Sequence, residues 1–568
     1  MRQQSSLSHV ALPIKKSDLT KRIGKYSMTV VGGIKLPKSA DISDLYLQCN
    51  EAASIKYSEG NQPENNKKVV LHRGGIISSN SYFNSFYESF YVKYTTLQSI
   101  YYRLKLEGDF KISVYREVNG SNEKETISEE IFEQCRSSNP VEISPITLLQ
   151  DGNAGRIYIE ITCLSEQGMF EGGWIVTDEP KAREISLGIV ICTFKKEDYV
   201  KNTLAVILQD QLLQDKEFKV FVVDNGRTLD KDNFKDSRLK LVPNINAGGS
   251  GGFTRGLVEA LEEKIHSHFL LMDDDIELES ECIYRLFSLH EYAKSDFAVA
   301  GGLLNLHKKH VLYEAGATYN EDSKTRGFAP GSLTALNHNI DLRNPASLNN
   351  LLIEADADYG GFWFFSFSKE LVEKIKLPLP LFIKIDDIEF CLRIKKFVGS
   401  PIVTFPAIAV WHQPASAKNL NWETYYYARN DLITYAVHFS PEYTHTVSHF
   451  TKAIIQSVDS LDYDRAQMLI KAFEDYLKGP DFIKTSEPEV LHLSILKLSR
   501  SYESQSEVDQ LAGTDLLVRW FEVAAKAAME WPSVARDWKS ATKEMTSTIF
   551  WQQYLGLKEP AYPSTARR

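Results

Sequence analysis

The chain has 568 residues, 43% of them hydrophobic and 25% charged, the composition of a globular protein with a large core and not of a disordered or fibrous one. At roughly 100–200 residues per domain it is too long for a single small binding module. Its 65 Lys and Arg against 75 Asp and Glu leave a net charge of −10, so the total gives no support to nucleic acid as a partner. Cys49, Cys135, Cys163, Cys192, Cys282 and Cys391 lie far apart with no C-x-x-C pair. Neither a zinc cluster nor a disulfide framework is indicated, and a reducing cytoplasm fits. The stretch from Met1 to Lys16 lacks the apolar core of a signal peptide, and no run approaches ~20 apolar residues, so export and membrane spanning are not expected.

Over residues 1–180 short β-like runs alternate with turn signals: Lys68 to Leu71, Ser99 to Leu106, Phe110 to Tyr115, Ile157 to Thr162 and Trp174 to Val176. Alternation in Tyr101-Tyr102-Arg103-Leu104-Lys105-Leu106 predicts an antiparallel sandwich with one wet face. Asp178-Glu179-Pro180-Lys181 reads as the linker. Residues 181–440 read as strands followed by helices, the grammar of an α/β fold with a mostly parallel sheet. Strand Leu187 to Cys192 leads to a helix near Tyr199 to Asp210. Strand Lys219 to Val223 ends in Asp224-Asn225-Gly226, and a helix near Phe253 to Ile265 precedes strand Phe269 to Met272. Ligands of such sheets bind beyond the carboxyl ends of the strands. Residues 441–568 read as helical, over Tyr463 to Leu477, Glu489 to Arg500, Gly513 to Glu530 and Ala535 to Leu555. The apolar spacing in Leu516 to Phe521 reads first as packing on a core and second as a membrane or partner surface.

Met272-Asp273-Asp274-Asp275 closes an apolar strand. Three acids there call for a cation, and an oxygen ligand set selects Mg²⁺ or Mn²⁺, with an acidic turn as the alternative. In an extended segment Asp273 and Asp275 point the same way and Asp274 the other. The run Asn246 to Gly256, dense in glycine and carrying Arg255, could receive a phosphate on backbone N–H groups, or could be a flexible linker. Asp386 and Asp387 form a second acidic cluster in which one carboxylate could serve as a general base. Read as extended backbone, it turns Asp387 to the side of Glu389, away from Asp386. His412 follows the apolar strand Ile402 to Val410, where a histidine more often belongs to a core.

Taken together, these residues resemble glycosyltransferase family 2 enzymes of GT-A fold, and most closely the bacterial polymerising galactofuranosyltransferases. The segment Tyr82 to Leu97 resembles the family's N-terminal β-sandwich. Gly188 to Phe194, Val223 to Gly226, Gly248 to Gly256, Met272 to Asp275, Gly361 to Phe364, Phe382 to Glu389 and Trp411-His412 follow in the family's order. Two positions depart from it: Phe194-Lys195-Lys196 lacks the family's Arg, and Phe362 replaces a Trp that often pairs with Trp363.

The resemblance implies a GT-A nucleotide-sugar domain between an N-terminal all-β sandwich and a C-terminal helical domain. Thr193, Phe194 and Asp224 would hold the nucleoside end of UDP-galactofuranose, with Asn246, Arg255 and Asp274 also on the donor. Asp273, Asp275 and His412 would bind Mg²⁺ or Mn²⁺, and Asp387 would be the base of an inverting transfer. Trp363 and Asp386 would face the sugar or acceptor, a growing glycan expected to be lipid-linked. A cytoplasmic homo-oligomer is expected, peripheral on the inner face of the membrane, with Lys526, Trp531, Arg536, Trp538 and Lys539 as contact candidates. Transfer of another sugar such as rhamnose, and a silent glycan-binding scaffold, are the alternatives.

Overall fold

The computed structural model describes residues 28–57, 67–118, 124–320, 333–354, 356–414, 421–500 and 510–558. The stretch Met1 to Lys16, read above for a leader, lies outside them. The N-terminal region is antiparallel β, framed by β1 (Thr29–Ile34), β2 (Lys68–His72), β3 (Ser99–Glu117), β4 (Lys124–Cys135), β5 (Arg156–Cys163) and β6 (Gln167–Thr177). The two runs predicted at Ser99 to Leu106 and Phe110 to Tyr115 are one strand of 19 residues. Its first half pairs with β6 and its second with β5 and β4. The changeover falls at Gly108, whose φ of +116° suits glycine alone. Ile100, Tyr102, Leu104 and Leu106 are buried in alternation along it, as a sheet with one core face requires.

The middle region is an α/β layer. In chain order it runs β7 (Ser186–Thr193), α1 (Glu197–Gln209), β8 (Glu217–Asp224), β9 (Leu239–Pro243), α2 (Gly248–Glu263), β10 (His268–Asp273), α3 (Ser280–Glu291), β11 (Ala298–Ala300), β12 (Gly302–Asn305), β13 (Val311–Glu314), β14 (Phe364–Ser368), α4 (Asp386–Arg393), β15 (Ile402–Val403) and β16 (Ala409–His412). The main sheet has the order β9-β8-β7-β10-β14-β11-β15. Strands β7 to β10 are parallel, and β14 runs against its neighbours. Strand β7 is buried on both faces, which explains its unbroken apolar run. The single strand predicted over Ile402 to Val410 is two short ones in different sheets, β15 beside β11 and β16 beside β12. Between them Ala407 takes φ +64° and redirects the chain.

The C-terminal region is helical: α5 (Asn421–His438), α6 (Tyr443–Asp459), α7 (Tyr463–Leu477), α8 (Pro488–Leu498), α9 (Gln510–Met545) and α10 (Thr548–Tyr554). The helices predicted at Gly513 to Glu530 and Ala535 to Leu555 are in fact the 36-residue α9, continuous through Pro532, followed by the short α10. A proline inside a helix costs about 3 kcal/mol locally. Here Trp520, Trp531 and Trp538 on one face of α9 are all buried, and Trp531 stacks on Phe473 of α7 at 5.7 Å. This packing outweighs the break. It also removes Trp531 and Trp538 from the membrane-contact candidates, leaving Lys526, Arg536 and Lys539 exposed. Among the described residues no helix is long and apolar enough to cross a membrane.

Candidate active site

A cavity of 650 Å³ opens at the carboxyl edge of the main sheet, within the ~300–1,000 Å³ typical of small-molecule sites. Strand β7 delivers Thr193 to it, β10 delivers Asp273 with Asp274 just beyond its end, and β16 brings in His412. Strand β10 ends at Asp273, and Asp274 and Asp275 lie in the bend that follows it. The Thr193 hydroxyl donates to Asp274 Oδ2 at 2.7 Å, whereas Asp273 and Asp275 both turn toward His412. Its Nε2 lies 3.1 Å from Asp275 Oδ1 and 3.8 Å from Asp273 Oδ2, and one ligand atom from each of the three lies within 4.8 Å of the others. Two carboxylates and an imidazole converging in this way fit Mg²⁺ or Mn²⁺.

Lys196, which the sequence reading did not use as a site residue, closes the cluster with its ammonium 2.5 Å from Asp275 and 3.6 Å from Asp274. Burial pushes the Asp275 carboxyl upward, but hydrogen bonds and charge from His412 and Lys196 outweigh it and hold the group well below the usual range. Burial raises Asp274 to about 6 against the pull of Lys196, and burial raises Asp273 as well.

The glycine-dense run is the first turns of α2. Gly248 has φ +70°, and a Cβ there would lie 2.1 Å from the Phe382 carbonyl oxygen. At Gly252 and Gly256, each four residues on, a Cβ would lie 2.1 Å from Cys192 Sγ and 2.2 Å from Val190 Cγ1. The glycines therefore let α2 lie against β7. The phosphate-cradle expectation is corrected to this extent: Gly248 N donates to Asn246 Oδ1 at 3.3 Å and Ser250 N to the Phe382 carbonyl at 3.0 Å. Arg255 is also corrected, since it pairs with Glu259 one turn along α2 at 2.6 Å and does not line the cavity.

Asp224 likewise turns away, accepting from Gly226 N at 3.0 Å and Leu229 N at 2.7 Å within its own turn. Its neighbour Asn225 lines the cavity instead, together with Asn246 and the half-exposed Phe194. Trp363 lines the wall and donates from Nε1 to the Gly301 carbonyl at 2.9 Å.

Asp386 and Asp387 do not lie on extended backbone. Phe382, Lys384 and Ile385 take φ of +74°, +64° and +70°, and α4 starts at Asp386. Both carboxyls thus sit in the first turn of a helix, where its dipole favours negative charge. Asp387 accepts from the Tyr359 hydroxyl at 3.2 Å and from Ile388 N at 2.8 Å. Burial raises Asp387 to about 6, and burial with the Asp387 charge raises Asp386 well above the carboxylate range. Glu389 does not share the cavity side with Asp387, being buried against Arg393 at 2.8 Å and His438 at 3.1 Å.

Other cavity residues carried no motif. Glu314 at the end of β13 is raised to about 7 by burial and the Asp387 charge. From the C-terminal helices come Trp422, Glu423, Tyr427 and His492.

Residues 33–177 match the family Galactofuranosyltransferase 2 N-terminal, and residues 184–426 match Glycosyltransferase like family 2. Residues 184–426 are thus similar to glycosyltransferase-like family 2, and the chain is a glycosyltransferase. Among curated relatives it is 29% identical over 438 residues to Galactofuranosyltransferase GlfT2 of Mycolicibacterium smegmatis, covering 73% of this chain and 67% of that one. The Mycobacterium tuberculosis protein of the same name is 29% identical over 425 residues, covering 72% and 66%. The chain thus spans about two thirds of the length of these relatives. Among solved structures, the mannosyltransferase PcManGT of Pyrobaculum calidifontis aligns at 15% identity with a TM-score of 0.28, covering 67% of this chain and 90% of that one.

Proposed function

We propose that this chain is an inverting, divalent-metal-dependent galactofuranosyltransferase that moves galactofuranose from UDP-galactofuranose to a growing glycan. The carrying observation is that one cavity is lined by Asp273, His412 and the raised carboxyl of Asp387, with Asp275 completing the metal-ligand triad through its 3.1 Å contact with His412. Similarity to the two galactofuranosyltransferases supports the donor sugar.

In this reading Thr193, Phe194, Asn225 and Asn246 hold the nucleoside end of the donor. Asp273, Asp275 and His412 would hold Mg²⁺ or Mn²⁺, which when bound offsets the charge developing on the leaving UDP. Asp387 takes the proton of the acceptor hydroxyl as that oxygen bonds to the anomeric carbon and the bond to UDP breaks. One displacement inverts the anomeric centre. Tyr359 donates to Asp387 and fixes its carboxyl, while Asp386 keeps its proton and avoids a second buried charge. The acceptor is proposed to be lipid-linked, and the division of the chain near residues 180 and 440 follows the change from sandwich to α/β layer to helices.

The test is nucleotide release by the purified protein from a panel of UDP-sugars and dTDP-rhamnose, with and without Mg²⁺ or Mn²⁺. Metal-dependent release from UDP-galactofuranose, with sugar appearing on a galactofuranosyl oligosaccharide, is expected. Preference for dTDP-rhamnose would move the assignment to the second donor, and silence with every donor would favour a scaffold.

A further inference from the structure

Beyond Asp387 the cavity leaves the α/β layer and is closed by the C-terminal helices. Lys384, three residues before Asp387, pairs with Glu423 of α5 at 3.3 Å. This contact brings the start of α5, with Trp422, to the same end of the cavity. Three rings gather there. Trp422 meets the imidazole of His492, from α8, at 5.2 Å, and Phe382 meets the same imidazole at 4.8 Å. Tyr426 lies beneath, stacked on Phe382 at 5.3 Å, with its hydroxyl and His492 Nδ1 3.1 Å apart. Burial lowers His492, which keeps its ring neutral at ordinary pH. Trp422, Phe382 and His492 all line the cavity.

We infer that Trp422, His492 and Phe382 form an aromatic shelf that binds the sugar of the acceptor chain next to the one being extended. This rests on the transferase reading above. Rigid rings offer apolar area to the C–H face of a pyranose or furanose at little entropic cost, and a neutral histidine beside them adds polar contact without charge. A nucleobase could also stack on such rings. The proposed function, however, assigns the nucleoside end to Thr193 and Asn225, where Phe194 already offers an exposed ring. An acceptor hydroxyl at Asp387 would lead the rest of its glycan out over Trp422.

The experiment compares wild type, Trp422→Ala, Trp422→Phe and His492→Ala on galactofuranosyl acceptors of one to five residues, with UDP binding in the presence of Mn²⁺ measured by calorimetry. Trp422→Ala should raise the acceptor KM about tenfold for acceptors of two or more residues and much less for a single sugar. UDP affinity should stay within about twofold, and Trp422→Phe should recover most of the loss. Weakened UDP binding with unchanged acceptor KM would overturn the shelf, as would an equal effect at every acceptor length. If wild type transfers nothing from UDP-galactofuranose, the donor assignment fails separately. Saturation-transfer NMR of a galactofuranosyl oligosaccharide on wild type and Trp422→Ala then decides the shelf: signal lost in the variant supports it, and equal signal overturns it.

Discussion

At Asp387 two influences meet: burial, which pushes its carboxyl to about 6, and the helix start and Tyr359 hydroxyl, which favour its ionised form. A base must be ionised to take a proton, so kcat/KM should rise as pH passes upward through about 6 and then level off. Asp387→Asn should remove that limb and lower kcat by about 10²–10⁴-fold with UDP binding retained. Asp386→Asn should cost less, because Asp386 is the member of the pair that keeps its proton. A reversed order in the two variants would exchange their roles. At the metal-ligand triad, Asp275→Asn should weaken Mn²⁺ binding by more than the about 10–100-fold typical of outer-shell losses, read by electron paramagnetic resonance titration while the circular dichroism spectrum stays that of wild type. The sequence made these acids legible because charges closing an apolar run have few structural uses. It did not reveal that Asp224 and Arg255 are held by local partners, since the hydrogen bonds that turn them away depend on the turn at Gly226 and on the helical spacing to Glu259.

Among the elements, the loop before α4 shows how the site is held. Phe382, Lys384 and Ile385 in left-handed backbone cost of order 1–3 kcal/mol each and persist only where the surroundings over-determine them. Asn430 of α5, fully buried, supplies that hold: its amide donates to the carbonyls of Leu381, Ile383 and Lys384 at 3.0, 2.8 and 2.9 Å. Arg429 adds a bond to Leu381 O at 2.8 Å. Asn430→Ala should therefore release the loop. We expect kcat to fall at least tenfold and the limb of the pH profile near 6 to move, with Mn²⁺ affinity unchanged because the triad stands at the ends of β10 and β16. A uniform loss of metal binding and activity together would mean general unfolding. Strands β7, β8 and β10 were readable because two-sided burial leaves an unbroken apolar run. The continuity of β3 and of α9 was not, because Gly108 and Pro532 are local breakers that sheet pairing and tryptophan packing override.

For the molecule as a whole, the seam between the sandwich and the α/β layer is polar at its centre and fully buried. Glu281 of α3 accepts from Gly33 N of β1, and Arg285 reaches back to Glu281 at 3.2 Å and to the Gly33 carbonyl at 3.2 Å. Tyr284 of the same helix donates to the Val30 carbonyl at 3.1 Å. Around this pair a single apolar cluster runs from Tyr82, Phe83 and Tyr91 of the sandwich side to Phe405 and to Trp411, which lies on the strand that carries His412. The sandwich therefore buttresses a metal-site strand, and the two regions should unfold together. Removing one partner of a buried ion pair leaves the other charge uncompensated, at a cost of about 3–5 kcal/mol. Arg285→Ala should accordingly lower the melting temperature by several degrees and keep a single calorimetric transition for sandwich and α/β layer. Arg285→Ala combined with Glu281→Leu should recover part of the loss, since no buried charge is then left alone. A sandwich that melted in its own transition, with the Mn²⁺ affinity of the remainder intact, would show the seam to be a mere contact and the metal-site strand to stand without it.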